Sequence, residues 1–468
     1  MGDSGDNQRR PGELAQPGCA MTGYAFVLAG SDPGIALVIF GERDCANAFP
    51  RLDPRFSALP RWNVWSAGLR ETDVVAGAAE ERLRGCLREV AASRPAPRIV
   101  LVLSTCVADV VGADPGPVCA AVEAETGVRI VPAAAGGIRP RTQIGVADEV
   151  ATLLLDELGR RDAAPDPKAV ALVGYPTGRA PDPSLDPRTF RAEAAGVLAG
   201  LGLRLAACVP EGAALADWEA LPGAGVVAVP DRAALPGLIE RLDRPGCVVA
   251  EVPVPVGVEA ADAFHAAVAA ACRVPAAPVQ GLPSRALAAD AIAAARARLS
   301  GRRLAYGIGS HHNFRAGHLA WEGLGDLPLF RSLGFEVDLV VQERDTPEAR
   351  ARIERGLAAA GLDLPYHLFR EPAVLAPVLR AGRFDVAYLS DFLADQAVAA
   401  GVPIVPLGRI RPGYAGAADA CGEVLRAVTG GFRERYARWL APGRDAPGRD
   451  APGREAADRA PPGHGRQP

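Results

Sequence analysis

An α/β fold with several mostly parallel sheets is what this sequence predicts, and three observations carry that prediction. Short apolar runs recur along the chain and alternate with stretches of helical period, the mark of βαβ units. Two polar breaks, Arg160 to Lys168 and Ser300-Gly301-Arg302-Arg303, each precede a fresh strand. Finally, 468 residues with 49% hydrophobic and 23% charged content supply core material for more than one domain.

The elements follow in order. Pro17 to Gly41 is interrupted by Asp32-Pro33-Gly34, so it reads as helix, turn and strand, the strand being Ala36–Phe40. Asp73–Ala92 has helical period and Ile99–Leu103 is a strand-like run. Beyond the first break come strand Val170–Val173, helix Phe190–Leu201, strands Val226–Val229 and Val248–Val252, and helix Ala286–Leu299. Beyond the second come strands Leu304–Ile308, Val337–Val341 and Val386–Leu389, with helix Thr346–Ala360 among them. The expected organisation is a flexible N-terminus (1–18), three Rossmann-like domains (19–165, 166–300, 301–440) and a disordered tail (441–468). The tail repeats Ala-Pro-Gly-Arg-Asp and has no core-forming residues, so His464 within it is given no role.

Composition excludes several functions. The net charge is −4, Lys168 is the only lysine, and the arginines are interleaved with Asp and Glu. That leaves no basic stripe to follow a phosphate backbone and argues against nucleic-acid binding. No stretch is apolar enough for a membrane span, and the polar N-terminus lacks the core of a secretory signal. An odd count of nine cysteines without an export signal points to the reducing cytoplasm. Six of them, Cys86, Cys119, Cys208, Cys247, Cys272 and Cys421, sit on helices or beside Ala and Gly and read as small buried hydrophobes.

The other three carry chemistry. Cys19 lies in Pro17-Gly18-Cys19-Ala20-Met21-Thr22-Gly23. Cys45 follows Ala36–Phe40 through Gly41-Glu42-Arg43-Asp44, and Cys106 follows Ile99–Leu103 through Ser104-Thr105. Thiols at strand ends in an α/β fold share one crevice and can share a metal cluster. Helix N-termini favour their thiolate form, and Gly41 and Gly112 permit tight turns and close backbone approach. Three ligands are one short of a full iron–sulfur set, so the missing one is expected from another subunit. The competing reading is three unrelated buried cysteines.

Around these cysteines the sequence resembles component 1 of the nitrogenase superfamily, over about residues 20 to 430. The matching motifs are Gly18-Cys19-Ala20-Met21-Thr22-Gly23 and the strand-Gly-x3-Cys45-Ala46 loop. Further on come Leu69-Arg70-Glu71-Thr72-Asp73-Val74-Val75 with Gly77 and Glu80–Leu83, Ser104-Thr105-Cys106 with Val111-Gly112-Ala113-Asp114, and Gly413-Tyr414-Ala415-Gly416. Within the family the likeness is to its cofactor-assembly and dark-operative protochlorophyllide reductase branches. The resemblance implies that Cys19, Cys45 and Cys106 hold a [4Fe–4S] cluster, or part of a larger iron–sulfur cluster shared with a partner subunit. It also implies a second component 1-type subunit in a heterotetramer and an ATP-binding iron protein as electron donor. The chain would then be an oxidoreductase subunit relaying electrons to a substrate; the alternative is a scaffold for assembling a nitrogenase-type metal cofactor. In the family's dinitrogen-reducing subunit the molybdenum–iron cofactor hangs from a Cys in the second domain and a His before the closing Gly-Tyr-x-Gly element. The corresponding stretches here, Val252-Pro253-Val254-Pro255 and Arg411-Pro412-Gly413, contain neither ligand type, so dinitrogen reduction by this chain is not expected.

Other signals are weaker. Gly307-Ile308-Gly309 follows a strand but lacks the third glycine and the acidic residue of a dinucleotide loop. A Walker motif is absent, so ATP hydrolysis is not expected of this chain. Ser310-His311-His312-Asn313 with His318 ends a strand; it reads as a substrate or proton-donor site, a second metal site, or a polar helix cap, and His311 and His312 are the weak catalytic candidates. His265 and His367 read as packing or surface residues. Arg409 and Arg411 would either hold an anion or form structural pairs. A different class, a nucleotide-sugar transferase, also pairs Rossmann domains; it predicts no iron and full activity without the three cysteines.

Overall fold

The computed structural model describes residues 22–28, 32–52, 63–134, 143–160, 162–176, 189–276, 281–308, 323–390, 393–407 and 409–430. Their strands form three sheets, parallel in every ladder. The first takes β1 (Ile35–Phe40), β2 (Val64–Ser66), β3 (Ile99–Ser104) and β4 (Arg129–Ala134) in the order β2-β1-β3-β4. The second takes β5 (Asp166–Val173), β6 (Arg204–Val209), β7 (Ala224–Val229) and β8 (Val248–Glu251) in the order β6-β5-β7-β8. The third takes β9 (Arg303–Ile308), β10 (Glu336–Gln342), β11 (Tyr366–Phe369), β12 (Val386–Leu389) and β13 (Ile404–Pro406) in the order β11-β10-β9-β12-β13. No sheet draws strands from both sides of 165 or of 300.

The central strands are apolar throughout because both faces are covered. In β1, Ile35, Leu37 and Ile39 pack into one core with Leu154 and Leu155, while Ala36, Val38 and Phe40 pack into another with Leu83 and Val118. The first of these cores continues into the second sheet through Ala171, Val173 and Val227, and residues up to Val428 pack as one compact unit.

The first window is helix Thr22–Leu28, a turn and β1, as its punctuation predicts; the Asp32 carboxylate accepts the Gly34 N–H at 2.8 Å. The helix expected over 73–92 is instead two, Glu71–Val75 and Ala79–Ala91. Gly77 breaks it by adopting φ +66°, a left-handed conformation that ends the first turn. The predicted flexible N-terminus and disordered tail lie outside the described residues. Among the described residues no helix is long and apolar enough to cross a membrane.

Candidate functional site

In the first sheet the chain leaves β1 for β2 on one side, then returns past β1 to β3 on the other. Such a reversal opens a crevice at the carboxyl ends of the two central strands, the usual ligand position in open α/β sheets. Phe40 and Ser104 pair there at the strand ends. Cys45 is the third residue of helix Arg43–Leu52, which leaves β1. Cys106 is the first residue of helix Cys106–Val110, which leaves β3. Both are partly exposed and neither forms a disulfide. Leu69, from the motif between them, donates its N–H to the Gly41 carbonyl at 2.9 Å, so that segment runs alongside the same edge.

The two loops are locked together. Thr105, 4% exposed, donates both its N–H (3.1 Å) and its hydroxyl (3.2 Å) to the Phe40 carbonyl. A Cβ on Gly41 would lie 2.0 Å from the Thr105 hydroxyl oxygen. Gly41 is therefore required for close packing against the β3 loop rather than for a turn. Gly112 does serve a turn, with φ +68° after the Cys106 helix.

Two buried polar atoms flank Cys106 without a hydrogen-bond partner: the Ser104 hydroxyl oxygen and one Asp109 carboxylate oxygen. Orphans of this kind call for an explanation, such as a bound group. Soft sulfur donors at the crevice and orphaned polar atoms beside one of them fit an iron–sulfur site. Among the described residues no group of three or more His, Cys, Asp or Glu could hold a metal ion. Cys19 lies outside the described residues, as do His311, His312 and His318, so the described part of the proposed ligand set is Cys45 and Cys106.

Of the remaining cysteines, Cys119, Cys208 and Cys421 are buried as expected, whereas Cys86, Cys247 and Cys272 are partly exposed and pack against the edges of cores. Burial pushes the Cys119 and Cys208 thiols up to about 12 and those of Cys86 and Cys421 to about 11, and raises Cys247 and Cys272 as well. Each shift favours the protonated thiol over the reactive thiolate. Near the crevice, Asp73 accepts the Arg70 N–H and both ends of its guanidinium at 3.0–3.1 Å, which holds its carboxyl down to about 2.

A family model described as "Nitrogenase component 1 type Oxidoreductase" matches residues 19–419. The chain belongs to this family. It is 37% identical over 75 residues to the nitrogenase iron-molybdenum cofactor biosynthesis protein NifE of Clostridium pasteurianum, 16% of each chain. To NifE of Klebsiella pneumoniae it is 30% identical over 170 residues, 36% of each chain. Thus it aligns with well under two thirds of the length of these relatives. In the solved structure "Nitrogenase Cp1 at pH 5" a chain superposes with a TM-score of 0.70 at 15% identity, covering 93% of this chain and 92% of that one. For "Nitrogenase Cp1 at pH 6.5" the TM-score is 0.66 at 13% identity, over 90% and 94%. These two likenesses establish the component 1 fold.

The stretches Val252–Pro255 and Arg411–Gly413 meet at a second place, between the second and third sheets. Gly413 donates its N–H to the Pro255 carbonyl at 2.7 Å, and Val256 bridges to Gly413. Helix Gly413–Thr429 starts there, and the Glu193 carboxylate accepts its Tyr414 and Ala415 amides at 2.7 and 2.9 Å. This contact explains the Gly-Tyr-x-Gly element in physical terms. A Cβ on Gly413 (φ +89°) would lie 2.5 Å from Glu193, and one on Gly416 would lie 2.1 Å from the Arg411 carbonyl. The Tyr414 hydroxyl donates to Asp262 at 2.6 Å, and Arg285 grips the same carboxylate. Arg411 is buried and pairs with Asp419, the structural alternative, whereas Arg409 is exposed. His265 is a packing residue, fully buried against Tyr414 and Phe264, with no partner on either ring nitrogen; burial lowers its pKa to about 4. His367 lies on β11 and bonds Asp338 at 2.8 Å.

The sequence gives Thr105 no role beyond its place in the Ser104-Thr105-Cys106 motif, and does not single out Glu193 at all. Thr105 has a local signal, a Thr at a helix start directly before a candidate ligand. Glu193 has none, because its partners are more than 200 residues away.

Proposed function

We propose that this chain is the cluster-bearing subunit of a nitrogenase-like two-component reductase. Cys45 and Cys106 at the first-sheet crevice, together with Cys19, would hold a [4Fe–4S] cluster or part of a larger one. The single observation that supports this most is the placement of two partly exposed thiols at the switch point of a parallel sheet. An iron–sulfur cluster there supplies one-electron transfer. The chain's own contribution is to fix the sulfur donors, keep the crevice at a sheet edge that a partner subunit reaches, and hold the surrounding backbone rigid. A second component 1-type subunit would complete the ligand set in a cytoplasmic heterotetramer, and an ATP-binding iron protein would supply electrons. His311 and His312, just after β9 in the sequence, stay as candidate proton donors.

The second reading is a scaffold for assembling a nitrogenase-type metal cofactor, and the names of the two curated relatives favour it. The readings separate in one experiment on the anaerobically purified complex. A reductase turns over a small organic substrate when the iron protein and ATP are added; a scaffold passes metal cluster to an apo-enzyme and turns over nothing. Absence of iron from the complex, or iron unaffected by Cys106→Ala, contradicts both.

A further inference from the structure

We propose that Thr105 is a positioning residue that sets the separation between the two cysteine-bearing loops, an inference that rests on the cluster reading above. A Thr just before a helix ordinarily turns its hydroxyl onto that helix's own first amides as an N-cap. Thr105 stands at that position ahead of Cys106–Val110 and makes no such cap. Its hydroxyl instead crosses to the Phe40 carbonyl, 65 positions earlier, which also receives the Thr105 N–H. Phe40 is the last residue of the strand from which the Cys45 helix departs, and Thr105 is the residue immediately before Cys106. A single carbonyl therefore ties the two loops together.

The opposite loop is shaped to receive this side chain. At Gly41 any Cβ would meet the Thr105 hydroxyl oxygen at 2.0 Å, its methyl carbon at 2.7 Å and its Cβ at 2.9 Å. The approach is thus fixed from both sides: a hydrogen bond draws the loops together, and side-chain bulk stops them. A cluster needs its sulfur donors at set positions before it binds, and groups that orient ligands without touching the metal typically change affinity by about 10–100-fold. Thr105 meets that description without contacting the reacting atoms.

The test uses the full chain purified anaerobically with its partner subunit and loaded with ferrous iron and sulfide. Thr105→Val keeps the volume and removes the hydroxyl; Thr105→Ser keeps the hydroxyl. The valine variant is expected to fold normally by circular dichroism, to release iron to a chelator about tenfold faster than the parent, and to show a broadened paramagnetic resonance signal when reduced. The serine variant should restore both iron retention and line shape. Gly41→Ala approaches from the other side and should reproduce the valine defect. Should the valine variant not fold, Thr105→Ala takes its place in the same comparison. The inference is overturned if valine and parent retain iron equally with the same spectrum, or if serine is as defective as valine. Failure of the cluster reading itself looks different: the parent then holds no iron, or holds iron that Cys106→Ala does not remove.

Discussion

The carboxyl edge of the first sheet and the seam between the second and third sheets are both polar, and they differ in how far each is occupied by the chain's own ion pairs. At the seam the chain supplies its own partners: Glu193 takes two helix amides, Asp262 takes Tyr414 and Arg285, and Arg411 takes Asp419. At the first-sheet edge two thiols stay partly exposed, and Ser104 and Asp109 each keep a buried oxygen without a partner. Orphaned polar atoms occur at both places; those of the seam, the two His265 ring nitrogens and the Arg411 Nε, are buried among side chains, whereas those of the first-sheet edge neighbour partly exposed sulfur donors. The conspicuous Gly-Tyr-x-Gly element is held by the chain's own side chains, and the proposed cluster is assigned to the less conspicuous crevice.

Glu193→Ala gives the largest stability effect expected from this contrast. It leaves two amides at the seam without an acceptor, each worth up to about 2 kcal/mol, so chemical denaturation should show a loss of about 4 kcal/mol. Iron content per folded chain should not change; a loss of iron on this substitution would break the distinction between the two regions.

His265 sharpens the contrast through pH. Its folded-state pKa of about 4 lies below the ordinary value of 6.5, because burial disfavours the charged ring. The stability that follows from keeping it neutral is complete above about pH 6.5 and declines as pH falls toward 4. Charging the ring inside the fold rather than in water costs about 3 kcal/mol, which is the loss expected at the acid end. His265→Leu should flatten that part of the stability profile; an unchanged profile would show that another group governs acid sensitivity.

Asp73 gives a smaller effect at lower pH. Arg70 holds its folded-state pKa near 2, below its ordinary value, so its contribution is present above about pH 4 and fades as pH falls through 2. Asp73→Asn should remove that component of the acid limb and lower the midpoint at neutral pH, where the contribution is complete, so that the two proteins converge as pH falls toward 2. Smallest of all is a rate contrast in the native metal-free chain. Cys45 and Cys106 should react with a maleimide well before Cys119, Cys208 and Cys421, which are buried and protonated; equal rates would remove the distinction.

Much of this architecture is legible in the sequence because central parallel strands are apolar on both faces. β1, β3, β5, β7, β9, β10 and β12 are all visible as apolar runs, and so is one edge strand, β8. The runs do not reveal β2, β4, β6, β11 and β13, which all lie at sheet edges. An edge strand has less to bury and tolerates polar residues and proline, as Pro132 in β4 and Pro406 in β13 show. The break at Gly77 is hidden because one left-handed glycine scarcely alters helical period. Of the site, the positions of Cys45 and Cys106 at strand exits are legible from local pattern. The Thr105–Phe40 and Glu193–Tyr414 contacts are not, since a local pattern contains no information about a partner 65 or 221 residues away.

The most direct measurement is iron content and reduced-state paramagnetic resonance of the anaerobically isolated complex, comparing Cys45→Ala/Cys106→Ala with Cys119→Ala/Cys208→Ala. A cluster held at the first-sheet crevice predicts that the first variant loses both iron and signal while the second keeps them. Iron and signal retained after removal of Cys45 and Cys106 would contradict it.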